Sequence, residues 1–102
     1  MRTRLGRRRL HFAAGIGHEA VVAALLGVGA GVNDRSTSGK SPLHRAMESG
    51  HAAVVRTLLR LGGVDVKLQD RSGRTALAYA KQQGHTAVVR VLKAAAVAVS
   101  LQ

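Results

Sequence analysis

No cysteine occurs in the chain, which excludes a disulfide framework and any thiolate metal site and leaves the redox compartment open. Large rings are almost missing too: Phe12 and Tyr79 are the only aromatic residues. A core that must be built from Ala, Val and Leu suits stacked short helices better than one large globular interior. Acidic residues are few, 5 Asp plus Glu against 16 Lys plus Arg, for a formal net charge of +11. Such an excess attracts acidic proteins, nucleic acid or anionic membrane surface, always screened by salt. It reflects either an acidic partner or an arginine-biased genome, and it bears on association rather than on fold. No apolar run is long enough to span a bilayer; the longest, from Ala20 to Val32, is too short. Arg2 to Arg9 ahead of that run imitates the order of a secretory leader, but His18 and Glu19 interrupt the junction. What the chain does have is 46% hydrophobic residues in 102, enough for one packed domain.

The stretch from Ser38 to Gly63, SGKSPLHRAMESGHAAVVRTLLRLGG, organises the rest. Ser41 is a favourable N-cap, and Pro42 falls at the first helical position, where its missing N–H costs nothing. Gly50 ends that helix after little more than two turns, since glycine readily takes the left-handed conformation of a helix end. A second helix starts near Ala52, with Val54, Val55, Leu58 and Leu59 forming one broad apolar stripe, and Gly62 and Gly63 stop it. This helix–turn–helix is too small to bury its apolar side alone.

The unit recurs. Leu10, Leu43 and Leu77 align, as do Gly17, Gly50 and Gly84, with steps of 33 and then 34 residues. The pairs Val21-Val22, Val54-Val55 and Val88-Val89 fall in the same register. With G-x-[ST]-P-L-H-x-A opening a unit and G-H-x-x-V-V-x-x-L-L closing it, the pattern resembles the ankyrin repeat. The middle copy keeps Gly39, Ser41, Pro42, Leu43, His44, Ala46, Gly50 and His51 of that motif. The resemblance implies an all-α solenoid of three helix–turn–helix units joined by extended, hairpin-like finger loops. It forms a single domain over residues 1–102, with repeats at about 3–35, 36–69 and 70–102.

Within this frame the copies differ. In copy one the first helix should start at Arg8-Arg9, without a capping hydroxyl and with cations at the positive end of the helix dipole, so that it frays. These arginines are either a crude N-terminal cap of the array or a contact for phosphate or carboxylate. The extra residue of the second step belongs at Gly62-Gly63. Copy three keeps Thr75 as N-cap but has Ala76 for proline, Ala78 for histidine, and Lys81 and Lys93 at positions that would face a further repeat. Lysine there is costly without a partner, so copy three reads as a terminal unit whose tail, Ala94 to Gln102, extends the last helix. Val97, Val99 and Leu101 make that tail apolar, so it either folds back over the repeat or belongs to a longer array.

Several motifs imitate chemistry. Gly15-x-Gly17-x-x-Ala20 matches a dinucleotide-binding fingerprint, which needs a strand before it, where the repeat register puts a helix. Gly39-Lys40-Ser41 lacks the upstream glycine of a phosphate-binding loop, Asp34 standing in its place. All five histidines fall on repeat positions, His11 and His44 after the leucine and His18, His51 and His85 after the turn glycine. The resemblance implies structural hydrogen-bonding roles for them, and His44 is placed to reach back to its own N-cap. Neither a metal site, nor a cofactor, nor a catalytic constellation is expected.

The resemblance also implies a non-catalytic protein-binding module, monomeric, acting in the cytoplasm or nucleus. Its partner would be met by the fingers and by the concave face of the first helices. The finger positions are Arg4, Leu5 and Arg7, then Thr37, Ser38 and Lys40, then Arg71, Ser72 and Arg74. The inner-helix positions include Ile16, Glu48 and Gln82. Phe12, Arg45 and Tyr79 share one repeat position, giving a row of side chains typical of interface hot spots, although the aromatic pair could equally pack between repeats. The expected partner is an acidic protein. The alternatives are weak, non-specific nucleic-acid binding by diffuse charge that includes Arg56, Arg60, Arg90 and Lys93, or a fragment or engineered scaffold of a longer array. Asn33 occupies the finger asparagine that is hydroxylated in some members of the family.

Overall fold

A computed structural model describes residues 4–61 and 63–100, with side chains for 5–61 and 63–95. Six helices run in order: α1 (Arg4–Ile16), α2 (Glu19–Gly27), α3 (Pro42–Ser49), α4 (Ala52–Arg60), α5 (Ala76–Gln83) and α6 (Thr86–Ser100). Each odd helix packs on its even successor. α1, α3 and α5 stack as an inner row while α2, α4 and α6 stack as an outer one. The described residues contain no strand. None of their helices is long and apolar enough to cross a membrane.

Local chemistry sets the helix boundaries. Ser41 Oγ accepts the His44 N–H at 3.3 Å while His44 Nδ1 accepts the Ser41 N–H at 3.3 Å, a capping box with Pro42 at the first position. Thr75 Oγ accepts the Ala78 N–H in the same way. The inner helices α3 and α5 end on Gly50 and Gly84 in the left-handed conformation.

The first helix departs from the sequence expectation. It begins at Arg4, several residues before Arg8-Arg9, so Arg4, Leu5 and Arg7 lie on a helix rather than on a finger; the Arg4 side chain is outside the described set. Copies two and three have turn-forming runs before their helices, Ser36-Thr37-Ser38-Gly39 and Asp70-Arg71-Ser72-Gly73, each closed by an N–H to carbonyl bond from Ser36 to Lys40 and from Asp70 to Arg74. Copy one keeps a glycine there, Gly6, but Leu5 stands where the later copies have Ser38 and Ser72, and Arg4 and Leu5 are strong helix formers.

Burial follows the repeat. Leu10, Leu43, Ala13, Ala46, Ala80, Val22, Val55, Leu58 and Leu92 form one continuous core, with Leu59 and Leu77 half-buried at its edge. Val54 and Val88 are fully enclosed against the preceding copy, whereas the equivalent Val21 is 44% exposed on the side of copy one that faces away from copy two. At the other end, Ala14 and Met47 are buried but Lys81 at the same position is exposed, as is Lys93. The tail continues α6 as one helix to Ser100; the side chains of Val97 and Val99, and all of Leu101, are outside the described residues. Gly62, half of the expected insertion point, is outside them too.

Candidate functional site: the concave face and the fingers

The histidines stitch one copy to the next. His44 Nε2 donates to the Arg74 carbonyl at 2.9 Å, fixing the following finger on α3, and His11 Nε2 lies 2.8 Å from the Lys40 carbonyl. His51 and His85 donate from Nε2 to the carbonyls of Gly15 and Glu48, each at 3.0 Å, tying the start of an outer helix to the end of the previous inner helix. For His11, His44, His51 and His85 these are structural roles of the kind that the resemblance implies. Among the described residues no three His, Asp or Glu side chains gather in a group that could hold a metal ion. The dinucleotide fingerprint fails as well, because Gly15 sits in the last turn of α1 with no strand ahead of it.

The fingers are also joined. The Arg71 N–H donates to the Ser38 carbonyl at 3.1 Å. Further back, the Asn33 amide donates to the Gly63 carbonyl at 2.6 Å and accepts the Asp65 N–H at 2.7 Å, which holds the base of the second finger.

At the junction of copies two and three the concave face closes on itself. Lys40 Nζ is 2.8 Å from Glu48 Oε2, and it also lies 4.6 Å from the centre of the Tyr79 ring. Arg74 covers the same ring at 5.7 Å, and its Nη1 donates to Gln82 Oε1 at 3.1 Å. The ring meets His44 edge-on at 6.0 Å between centroids. Tyr79 is only 9% exposed, and its hydroxyl donates to Asp70. Of the two roles open to the aromatic pair, the surroundings of Tyr79 are those of a packed ring: a buried carboxylate accepts from its hydroxyl and two cations cover its face.

Asp70 was not singled out by the sequence reading. One carboxylate oxygen accepts the Tyr79 hydroxyl and the other accepts the Ser72 and Arg74 N–H groups at 2.9 and 3.0 Å. The bond from Tyr79 outweighs burial, so the Asp70 carboxyl titrates below its ordinary value; the same bond, with burial, raises the Tyr79 phenol. The usable signal was Asp-Arg-Ser-Gly, the pattern of an Asx-type turn.

At the junction of copies one and two the same place is open. A groove of about 690 Å³ is lined by Arg7, Arg8, His11, Phe12, Ser36, Thr37 and Arg45, with no carboxylate. Phe12 is 62% exposed, and Leu5, Ile16, Arg45, Ser38 and Arg71 are exposed around the face and fingers. Glu48 and Lys40, expected as separate contact residues, are instead half-buried and paired with each other.

Two rows of helices, the inner α3 and α5 capped and glycine-ended alike, with histidines and fingers bonding each copy to the next, define a helical-repeat solenoid. The family model of ankyrin repeats, in three copies, matches residues 10–101, and the chain belongs to that family. No curated protein matches the chain. Ankyrin repeats generally mediate protein–protein interaction, typically without catalysis.

Proposed function

We propose that the chain is a basic interaction module that binds an acidic protein through its concave inner-helix face and its two fingers. The observation that carries this reading is the concave groove at the first junction, where three arginines and an exposed phenyl ring meet with no carboxylate among the lining residues. Arginine and aromatic side chains dominate interface hot spots, and unpaired guanidinium groups attract carboxylates bidentately. The exposed Arg71 and the Arg74 side chain extend the positive edge along the second finger, next to Ser38 and Gln82. Leu5 and Ile16 add exposed apolar area beside the arginines. Nucleic acid is the weaker reading, because burial of Tyr79 leaves Phe12 as the one ring available for base stacking.

The test is binding to amidated, fluorescein-labelled poly-Glu, compared with duplex DNA, at about 0.15 M salt. Poly-Glu should bind more tightly, and the double variant Arg45→Ala/Arg74→Ala should weaken it by more than about 1 kcal/mol. A Kd for the double variant equal to that of the parent removes these arginines from the site, and tighter binding to DNA replaces the protein partner with nucleic acid.

A further inference from the structure

The two junctions of the solenoid are built from the same repeat positions, filled differently. At the second, position for position, stand Lys40, Glu48 and Tyr79; at the first stand Arg7, Gly15 and Arg45. The second junction therefore carries its own anion, the Glu48 carboxylate 2.8 Å from Lys40, while the first has a glycine where that carboxylate would originate. Arg45 lies directly over this gap: a Cβ placed on Gly15 would sit 3.5 Å from Arg45 Nε and 3.7 Å from Nη2. The Arg7, Arg8 and Arg45 side chains line the groove around it without an ion pair or hydrogen bond among the described residues.

Resting on the acidic-partner reading, we propose that the gap above Gly15 is the seat of a carboxylate side chain of the bound partner, an acidic peptide segment, with Arg45 as its principal ligand. The inserted carboxylate takes the part that Glu48 plays one repeat later. Arg7 and Arg8 complete the positive wall, the exposed Phe12 ring offers apolar contact to the methylenes of the acidic side chain, and Thr37 lines the same groove.

Gly15 makes the proposal testable with a variant that keeps the fold. Its φ is not in the positive range, an added Cβ meets only ordinary van der Waals contacts, and it accepts the His51 Nε2–H through its backbone carbonyl, which a substitution retains. Gly15→Glu supplies an internal carboxylate to Arg45, Gly15→Gln supplies the same bulk without charge, and Ala53→Glu makes the same charge change on the exposed face of α4. The probe is amidated poly-Glu without the fluorescein label, followed by calorimetry, so that its only carboxylates are side chains. Thermal unfolding confirms that each variant is folded. The expected result is binding weakened about tenfold or more by Gly15→Glu, the loss of one charge-assisted contact. Ala53→Glu should remain within about threefold of the parent, and Gly15→Gln, which fills the gap without a charge, should fall between Ala53→Glu and Gly15→Glu. Equal binding by Gly15→Glu and Ala53→Glu overturns the seat while leaving the acidic-partner reading standing. A Gly15→Glu variant that binds as tightly as the parent, with its own carboxylate in the gap, also overturns it. If the parent chain fails to bind poly-Glu at all, the acidic-partner reading falls and the seat with it.

Discussion

Leu58 is wholly enclosed in the middle copy, between the helices of its own unit and those on either side. Leu58→Ala should cost about 2–5 kcal/mol in urea unfolding. Leu59→Ala should cost clearly less, because Leu59 is only half-buried. Both leucines are equally apolar in the sequence, and only the position of the neighbouring copy separates them. The Asp70–Tyr79 bond gives a residue-scale prediction in pH. Because the folded-state value of Asp70 is depressed, its contribution is present above its unfolded value, 3.8, and is lost as the pH falls through the lower folded value. Tyr79 is raised, so its contribution is present below its unfolded value, 10.0, and is lost as the pH rises through the folded value. Tyr79→Phe should therefore flatten the dependence of the urea midpoint on pH at both ends of the range. Profiles that superimpose would show that the bond does not stabilise the fold.

At the scale of the element, a helix end is stabilised by its own glycine and by what the next copy places against it. Gly50 and Gly84 both have positive φ, 79° and 74°, so alanine at either is strained by roughly 1–2 kcal/mol. A Cβ at Gly50 would also meet His85 Nδ1 at 2.7 Å, whereas at Gly84 nothing lies within 4 Å. Gly50→Ala should thus destabilise more than Gly84→Ala in thermal unfolding, and equal losses would mean that the His85 ring moves aside freely. The sequence marked both glycines as helix ends; it could not rank them, since the ranking depends on a histidine in the following copy. The first helix teaches the converse. Its start at Arg4 follows from the helix propensity of Arg4 and Leu5, the latter in place of the finger serine of the later copies, but no acidic residue offsets the macrodipole in its first turn. Amide hydrogen exchange should be fast from Leu5 to Arg9 and slower at Ala13 and Ala14, and uniform protection would contradict the dipole argument.

At the scale of the molecule, six helices of 8 to 15 residues have little stability singly and hold together through contacts between copies. Far-ultraviolet circular dichroism should show one cooperative melt from a monomer. The net charge of +11 acts against the compact state by self-repulsion. Raising the salt from about 0.01 to 0.15 M shortens the screening length from about 30 to 8 Å and should raise Tm. A Tm that falls instead would mean that pairs such as Lys40–Glu48 outweigh the repulsion.

The order of the copies, the caps at Ser41 and Thr75, the glycine stops and the exposed lysines of copy three were all written in the chain. Each depends on residues a few positions apart acting through local backbone geometry and a repeat period that can be counted. What only the tertiary structure decided is which members of equivalent positions touch. Tyr79 and Phe12 share a register, yet one is buried under Lys40 and Arg74 and bonded to Asp70, and the other is exposed beside unpaired arginines. That difference arises from residues far apart in sequence, because His44 and Lys40 of the preceding copy pack against the Tyr79 ring, whereas among the described residues no preceding copy packs against Phe12.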